Sequence, residues 1–333
     1  EKLKIRYDEI YNSNLDYIGK IYWLIEDCKR YGTLPFAGLA RAGFIAVQFL
    51  KSMVSKNILT KSDYELYINS LNTVSSEMSN DLGLNSKKNF LLKYGHLRPG
   101  TYDILSSRYD ENFNSYFDKK NIKDKDEKNK NNEFTLSIDK MNKLEFLLNK
   151  HNLKQNVLGI FNFIKGAIEG REYAKFVFTK NLSMALELIK KLGYENNLSP
   201  EDMSFMDISI IRKLYSSSFD INKELKESIK NGRHNYNITK SISLPPMITK
   251  AKDIWSFQID ENIPNFITSK SVSGNVIRET KNKKTFEGNI LFIASADPGY
   301  DWIFSHNIGG FVTMYGGVNS HMSIRLENLI YLQ

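Results

Sequence analysis

The chain has 333 residues, 41% of them hydrophobic and 12% aromatic, which is ample for a packed core and excludes wholesale disorder. A single cysteine, Cys28, excludes a disulfide scaffold and a cysteine-rich zinc site. The net charge of +8 reads either as a general lysine-rich bias or as attraction to phosphate-bearing ligands. No basic stripe with stacking aromatics marks a nucleic-acid surface.

Residues 1 to about 240 read as mostly helical. Ile18, Tyr22 and Ile25 begin one stripe. Leu34–Val54 is apolar nearly all round, and its Ala, Leu and Phe content predicts a buried helix. Ser62–Ser79 predicts another, with Ser62 as N-cap and Glu65 completing a capping box. The segment 118–132 is dense mixed charge with one apolar residue, so it is expected to be a solvated loop. A long helix is predicted over Val157–Leu192, interrupted near Thr179. Ser199, followed by Pro200, Glu201 and Asp202, reads as a helix start: a cap, a first-turn proline, then acids on the positive end of the dipole.

The character changes after Leu244-Pro245-Pro246, since paired prolines disfavour helix. Beyond them Asn265–Lys270, Ser271–Arg278, Gly288–Ala294 and Gly310–Tyr315 read as strands punctuated by glycine turns. The expected fold is therefore α+β: a large helical domain over 1–244 and a small α/β module over 245–333. A chain that opens at Glu1 inside a helical pattern and closes at Gln333 just past its sharpest motif reads as part of a longer protein, with the small module incomplete. No unbroken apolar run reaches the roughly 20 residues of a bilayer crossing. No secretory segment opens the chain. The expectation is a cytoplasmic protein without a membrane partner.

The sharpest motif follows the last predicted strand: Gly316-Gly317-Val318-Asn319-Ser320-His321-Met322-Ser323-Ile324-Arg325. The glycines permit a tight turn, and Asn319 or Ser320 can cap a following helix. His321 then stands at a helix N-terminus, where backbone N–H groups favour negative charge. A neutral imidazole there is a good nucleophile for a phosphoryl group, its ordinary pKa being about 6.5. A packed or capping histidine is the alternative.

A second cluster is Lys93-Tyr94-Gly95-His96-Leu97-Arg98-Pro99-Gly100-Thr101-Tyr102-Asp103-Ile104, with Arg108 following. Arginine forks suit carboxylates and phosphates, and the glycines and proline could hold backbone close to a ligand. A solvated structural turn is the alternative. Arg171 and Lys175 share a helix face beside Glu172, either as surface ion pairs or as a charged pocket wall. Arg41, on an otherwise apolar helix, either pairs internally or holds a substrate carboxylate. No metal-ligand motif occurs, and no Gly-x-x-x-x-Gly-Lys-Ser/Thr loop.

The segment Gly288–Arg325 resembles the swivelling phosphohistidine domain of phosphoenolpyruvate-utilising enzymes, among them phosphoenolpyruvate synthase, pyruvate phosphate dikinase and rifampin phosphotransferase. The matching residues are Gly316, Gly317, Ser320 and His321, preceded by Ala296-Asp297-Pro298-Gly299-Tyr300-Asp301-Trp302. The family continues into an Arg-Glu-Leu-Gly-Ile-Pro-Ala-Val stretch, whereas this chain reads Arg325-Leu-Glu-Asn-Leu-Ile-Tyr-Leu-Gln333. The 93–104 loop resembles the acceptor-domain loop of the same family, in a form similar to the L-glutamine kinase branch. Arg41 and the Arg171–Lys175 segment share that resemblance.

The resemblance implies that His321 carries a phosphoryl group from ATP to a small-molecule acceptor, with AMP and phosphate released and Mg²⁺ at the ATP station. It implies that the ATP-grasp domain lies N-terminal to this chain. The acceptor it suggests is the amide nitrogen of L-glutamine. His96, Arg98, Tyr102, Asp103, Arg108, Arg41, Arg171, Glu172 and Lys175 are then candidates for binding it, with His96, Asp103 or Glu172 as base. An antibiotic phosphotransferase, a phosphoenolpyruvate synthase-like enzyme, and a phosphocarrier acting on a protein are the alternatives.

Overall fold

The computed structural model describes residues 1–117, 134–242, 244–245, 247–256, 266–268, 270–278, 286–295, 298–315 and 322. The charged segment 118–132 lies outside the described residues.

The helices are α1 (Lys2–Asn12), α2 (Tyr17–Asp27), α3 (Leu34–Ser55), α4 (Lys61–Asn69), α5 (Val74–Leu84), α6 (Lys87–Tyr94), α7 (Phe113–Tyr116), α8 (Ile138–Lys150), α9 (Val157–Glu195), α10 (Pro200–Met203), α11 (Ser209–Ser216) and α12 (Ile221–Ser241). Among the described residues three short strands follow: β1 (Val276–Arg278), β2 (Ile290–Ser295) and β3 (Gly310–Tyr315). The fold is thus α+β, mostly helical with a small parallel sheet in the order β1-β2-β3. The register pairs Val276 with Ile290 and Ile290 with Gly310.

The spine is α9, 39 residues and so about 58 Å long. The predicted interruption at Thr179 does not occur. The Thr179 hydroxyl donates back to the Phe176 carbonyl at 3.0 Å, so its polarity is satisfied within the helix. Helix α3 runs antiparallel to α9: Gly43 faces Ala167 and Arg171, while Gly32 faces Phe178. Between α2 and α3 the chain forms a π-helical turn, Cys28–Thr33. A Cβ on Gly32 would sit 2.5 Å from the Cβ of Phe178, so only glycine fits this approach. The Cys28 thiol donates to the Phe178 carbonyl at 3.6 Å beside it.

Three findings in the helical region bear on these expectations. First, α3 is not buried all round. Ala46, Leu50 and Met53 pack inward, but Leu34, Arg41, Phe44 and Ile45 are exposed, because only α9 and its neighbours cover one face. Second, the α2–α3 helix, Tyr17–Ser55, holds an 18-residue stretch of mean hydropathy 1.4. It is long and apolar enough by length and composition to cross a membrane, although no unbroken apolar run announces it. Arg41 and Gln48 break the run, but the Leu, Phe, Ile, Val and Ala around them keep the average high. Third, the 62–79 helix is two helices. Thr60 caps α4 in a capping box with Asp63, and Thr73 caps α5. Ser199 caps α10 as expected, with Pro200 in the first turn, and Asp202 completes a capping box with it.

In the C-terminal region the strand predicted over Ser271–Arg278 pairs only at its end, as β1. The described residues within 265–270 form no ladder. Leu291 and Ile293 of β2 pack against Tyr300, Trp302 and Ile303 of a 3₁₀ helix, Pro298–Ser305. This sheet keeps no separate core. Those residues, with Phe286 and Met322, form one cluster with Met78, Phe90, Tyr94, Tyr109, Phe113, Tyr116 and Phe117 of the helical region. The Trp302 ring lies 5.6 Å from that of Tyr116, and His306 Nε2 is 3.2 Å from the Tyr116 carbonyl. A carbonyl only accepts, so Nε2 carries the proton in that bond.

Candidate functional site

The loop between α6 and α7 is closed at its neck. Tyr109 N–H donates to the Leu97 carbonyl at 2.8 Å and Asp110 N–H to the Gly95 carbonyl at 3.1 Å. Its tip turns at Gly100, whose φ of +65° favours glycine. The Asp103 side chain accepts from Leu105 N–H at 2.9 Å. Tyr102 and Asp103 stand exposed at this tip.

Arg98 lies inside the loop, 3% exposed. Nη1 donates to the carbonyls of Asp103 (3.3 Å) and Ser106 (3.1 Å). Nη2 donates to Ser183 O (3.4 Å), Ser183 Oγ (3.1 Å) and Glu187 Oε1 (2.7 Å). The guanidinium thus ties both limbs of the loop to α9. Ser183 Oγ also donates to the His96 carbonyl at 2.7 Å. Glu187 is shared with Lys190 at 2.9 Å. Burial works against the charged form of Glu187, but bonds from Lys190 and Arg98 hold its carboxyl below the usual range.

His96 is buried, and its Nε2 has no hydrogen-bond partner. The ring is 4.9 Å from that of Phe176. Burial, then the positive charges of Arg108 and Lys180, push its pKa down to about 3, with the Phe176 carbonyl acting the other way. The imidazole is therefore neutral at pH 7 and a weak base. It can exchange a hydrogen bond with a ligand far more readily than it can hold a proton. Arg108 lies over the same side of the loop, forked onto Asp110 with Nε to Oδ1 at 2.9 Å.

On α9, Glu172, Phe176 and Lys180 follow at four-residue spacing and so share one stripe, the one that meets His96. Arg171 and Lys175 lie on an adjacent stripe. The Arg171 guanidinium is 5.6 Å from the Phe44 ring, and Arg41 is exposed one turn before Phe44 on α3. Arg41 Nε reaches only the Ala37 carbonyl, at 3.4 Å. It is therefore neither buried nor paired with an acid among the described residues. Of the predicted residues, His96 and Arg98 meet α9, Arg108 pairs with Asp110 within the loop, Tyr102 and Asp103 stand at the exposed tip, and Arg171 lies over Phe44 of α3.

Lys180, Ser183 and Glu187 were not among the sequence candidates. Their signal is a run of polar residues within one apolar helix: Thr179, Asn181 and Ser183 are all buried. Gly316, Gly317, Asn319, Ser320, His321 and Arg325 lie outside the described residues. Among the described residues no three His, Cys, Asp or Glu side chains are grouped to hold a metal ion. An open groove of about 470 Å³ lies between α10 and α12, lined by Lys226, Lys230 and Arg233 among others. Another, of about 530 Å³, lies beside the π turn. Neither includes a residue of the 95–110 loop.

No protein-family model matches the chain, and no curated protein matches it.

Proposed function

We propose that this chain is the carrier-and-acceptor part of an ATP-dependent phosphotransferase, in which His321 takes up a phosphoryl group and delivers it to a small molecule held beside the 95–110 loop. The observation that supports this reading is the shared core. Met322, next to His321 in sequence, is buried in one cluster with Phe90, Tyr94 and Tyr109, which frame that loop. The motif also follows the C-terminal end of a parallel strand, where α/β sheets carry their ligands.

ATP would supply the phosphoryl group and Mg²⁺ would neutralise its charge; no described residue is assigned to either. In the transfer, the imidazole nitrogen of His321 uses its lone pair to form an N–P bond as the donor P–O bond breaks and its electron pair departs on the oxygen of the leaving nucleotide. The acceptor atom then attacks phosphorus, the N–P bond breaks, and its electron pair returns to the ring. At the acceptor, Glu172 takes the proton released by the attacking atom, since the depressed pKa of His96 unsuits it to that role. His96 orients the acceptor as a neutral hydrogen-bonding group. The polar lining of this loop favours a small, polar acceptor over an apolar antibiotic, and L-glutamine is our best assignment.

The test is ³¹P NMR of the full-length protein with ATP and Mg²⁺, screened against amino acids and antibiotics. A phosphoramidate signal that requires L-glutamine is expected. No acceptor-dependent phosphorus signal with any small molecule refutes the acceptor reading. A carrier acting on a protein is the second reading. It is favoured by the apolar side chains exposed between α12 and β1, where Trp255 is 88% and Phe266 81% exposed.

A further inference from the structure

Among the described residues, most cations on the loop and on the α9 stretch beside it are matched to acids. Arg98 pairs with Glu187, Lys190 with Glu187 and Glu111, Arg108 with Asp110, and Lys93 with Asp81 and Glu77. Lys180 is half-buried on the same helix and has no carboxylate within ion-pair distance among the described residues. Its ammonium sits 4.5 Å from the centroid of the Tyr7 ring. Burial raises the pKa of Tyr7, so that ring is a neutral phenol and balances no charge. One helical turn away, against Phe176, is the buried Nε2 of His96 with no partner. A partly desolvated ammonium without a counter-ion and a buried ring nitrogen without a hydrogen bond are each unfavourable. A single ligand can satisfy both.

We infer that Lys180 and His96 form an anion subsite, in which a carboxylate or phosphoryl oxygen of a small ligand pairs with the Lys180 ammonium beside Tyr7 while a neighbouring polar atom bonds His96 Nε2. The subsite deepens the acceptor reading and rests on it only for the ligand's role, not for the binding. Its chemistry selects ligands with an anionic group and a neutral donor or acceptor a few ångströms apart. The Arg98 Nη atoms are spent on the loop and α9, so the subsite is assigned to Lys180 and His96 alone.

The test is imidazole ¹H–¹⁵N NMR of the 333-residue chain, with the His96 signal assigned through His96→Asn. It is titrated with inorganic phosphate, with acetate and, at matched ionic strength, with sodium chloride. Saturable movement of the His96 signal with phosphate or acetate, and not with chloride, is expected. Acetate alone identifies the group as a carboxylate, and phosphate alone as a phosphoryl oxygen. Lys180→Met should weaken that binding about tenfold or more, and Lys180→Arg should retain it. No movement with either anion, or equal affinity in folded Lys180→Met, overturns the subsite. Lys180-dependent binding in a protein that never transfers phosphate to a small molecule leaves the subsite standing and removes the acceptor reading instead.

Discussion

Replacing Arg98 with Met separates two roles that the loop motif leaves open. If the guanidinium is a ligand group, its loss should cost binding and little stability. The structure assigns it the opposite balance. Its side chain is 2% exposed and donates to two loop carbonyls, to Ser183 and to Glu187. Removing one partner of a buried ion pair costs about 3–5 kcal/mol. Here Glu187 keeps Lys190 at 2.9 Å, so it is not left uncompensated. The loss of charged donors to the Asp103 and Ser106 carbonyls adds to the cost, though not additively. A net loss of about 3 kcal/mol is expected, at the lower end of that range. Arg98→Lys should recover only part of it, because a single ammonium cannot span both loop limbs and α9. Urea unfolding followed by circular dichroism measures this as a lower midpoint at unchanged slope. A loss below about 1 kcal/mol, with ligand binding abolished, would refute the structural role.

Further outcomes follow from the same geometry. His96 is neutral when folded, with its pKa near 3, and takes up a proton near 6.5 when unfolded, so the unfolded state binds more protons between those values. Stability should therefore fall as pH drops from 7 to 5, by about 2 kcal/mol, and His96→Gln should flatten that slope in urea titrations at the two pH values. Glu187, Asp63 and Asp81 have depressed folded values, so their contribution is full above the ordinary carboxylate range and is lost as pH falls through the folded values. Gly32→Ala should destabilise by about 1–3 kcal/mol, because its Cβ would meet that of Phe178, and differential scanning calorimetry reads the loss. Trp302→Ala should cost about 3–5 kcal/mol and also speed proteolysis within the 95–110 loop, since Trp302 belongs to the core that frames it.

The helical character of residues 1–240 was legible because periodic apolar residues and caps such as Ser199 are local signals. The break between α4 and α5 was not, because Thr60 and Thr73 cap as well as Ser62 would and only packing selects among them. The exposure of α3 was equally hidden: apolar composition states what could be buried, not which neighbour is present to cover it. Thr179 looked like a helix breaker, yet the 39-residue helix runs through it because its hydroxyl bonds within the helix. At the site, the Gly95–Asp103 motif announced a shaped loop. It could not announce that Arg98 faces inward, since that depends on Ser183 and Glu187, 85 and 89 residues further along the chain. Nor does a sequence pattern show that the sheet and the helices share one core through Tyr116 and Trp302.

The central claim is that His321 accepts a phosphoryl group. Treating the chain with potassium phosphoramidate and locating the product by mass spectrometry tests it directly. A phosphate at His321, lost in acid, stable in base and absent from His321→Asn, is expected. No acid-labile phosphate, or the same labelling in His321→Asn, contradicts it.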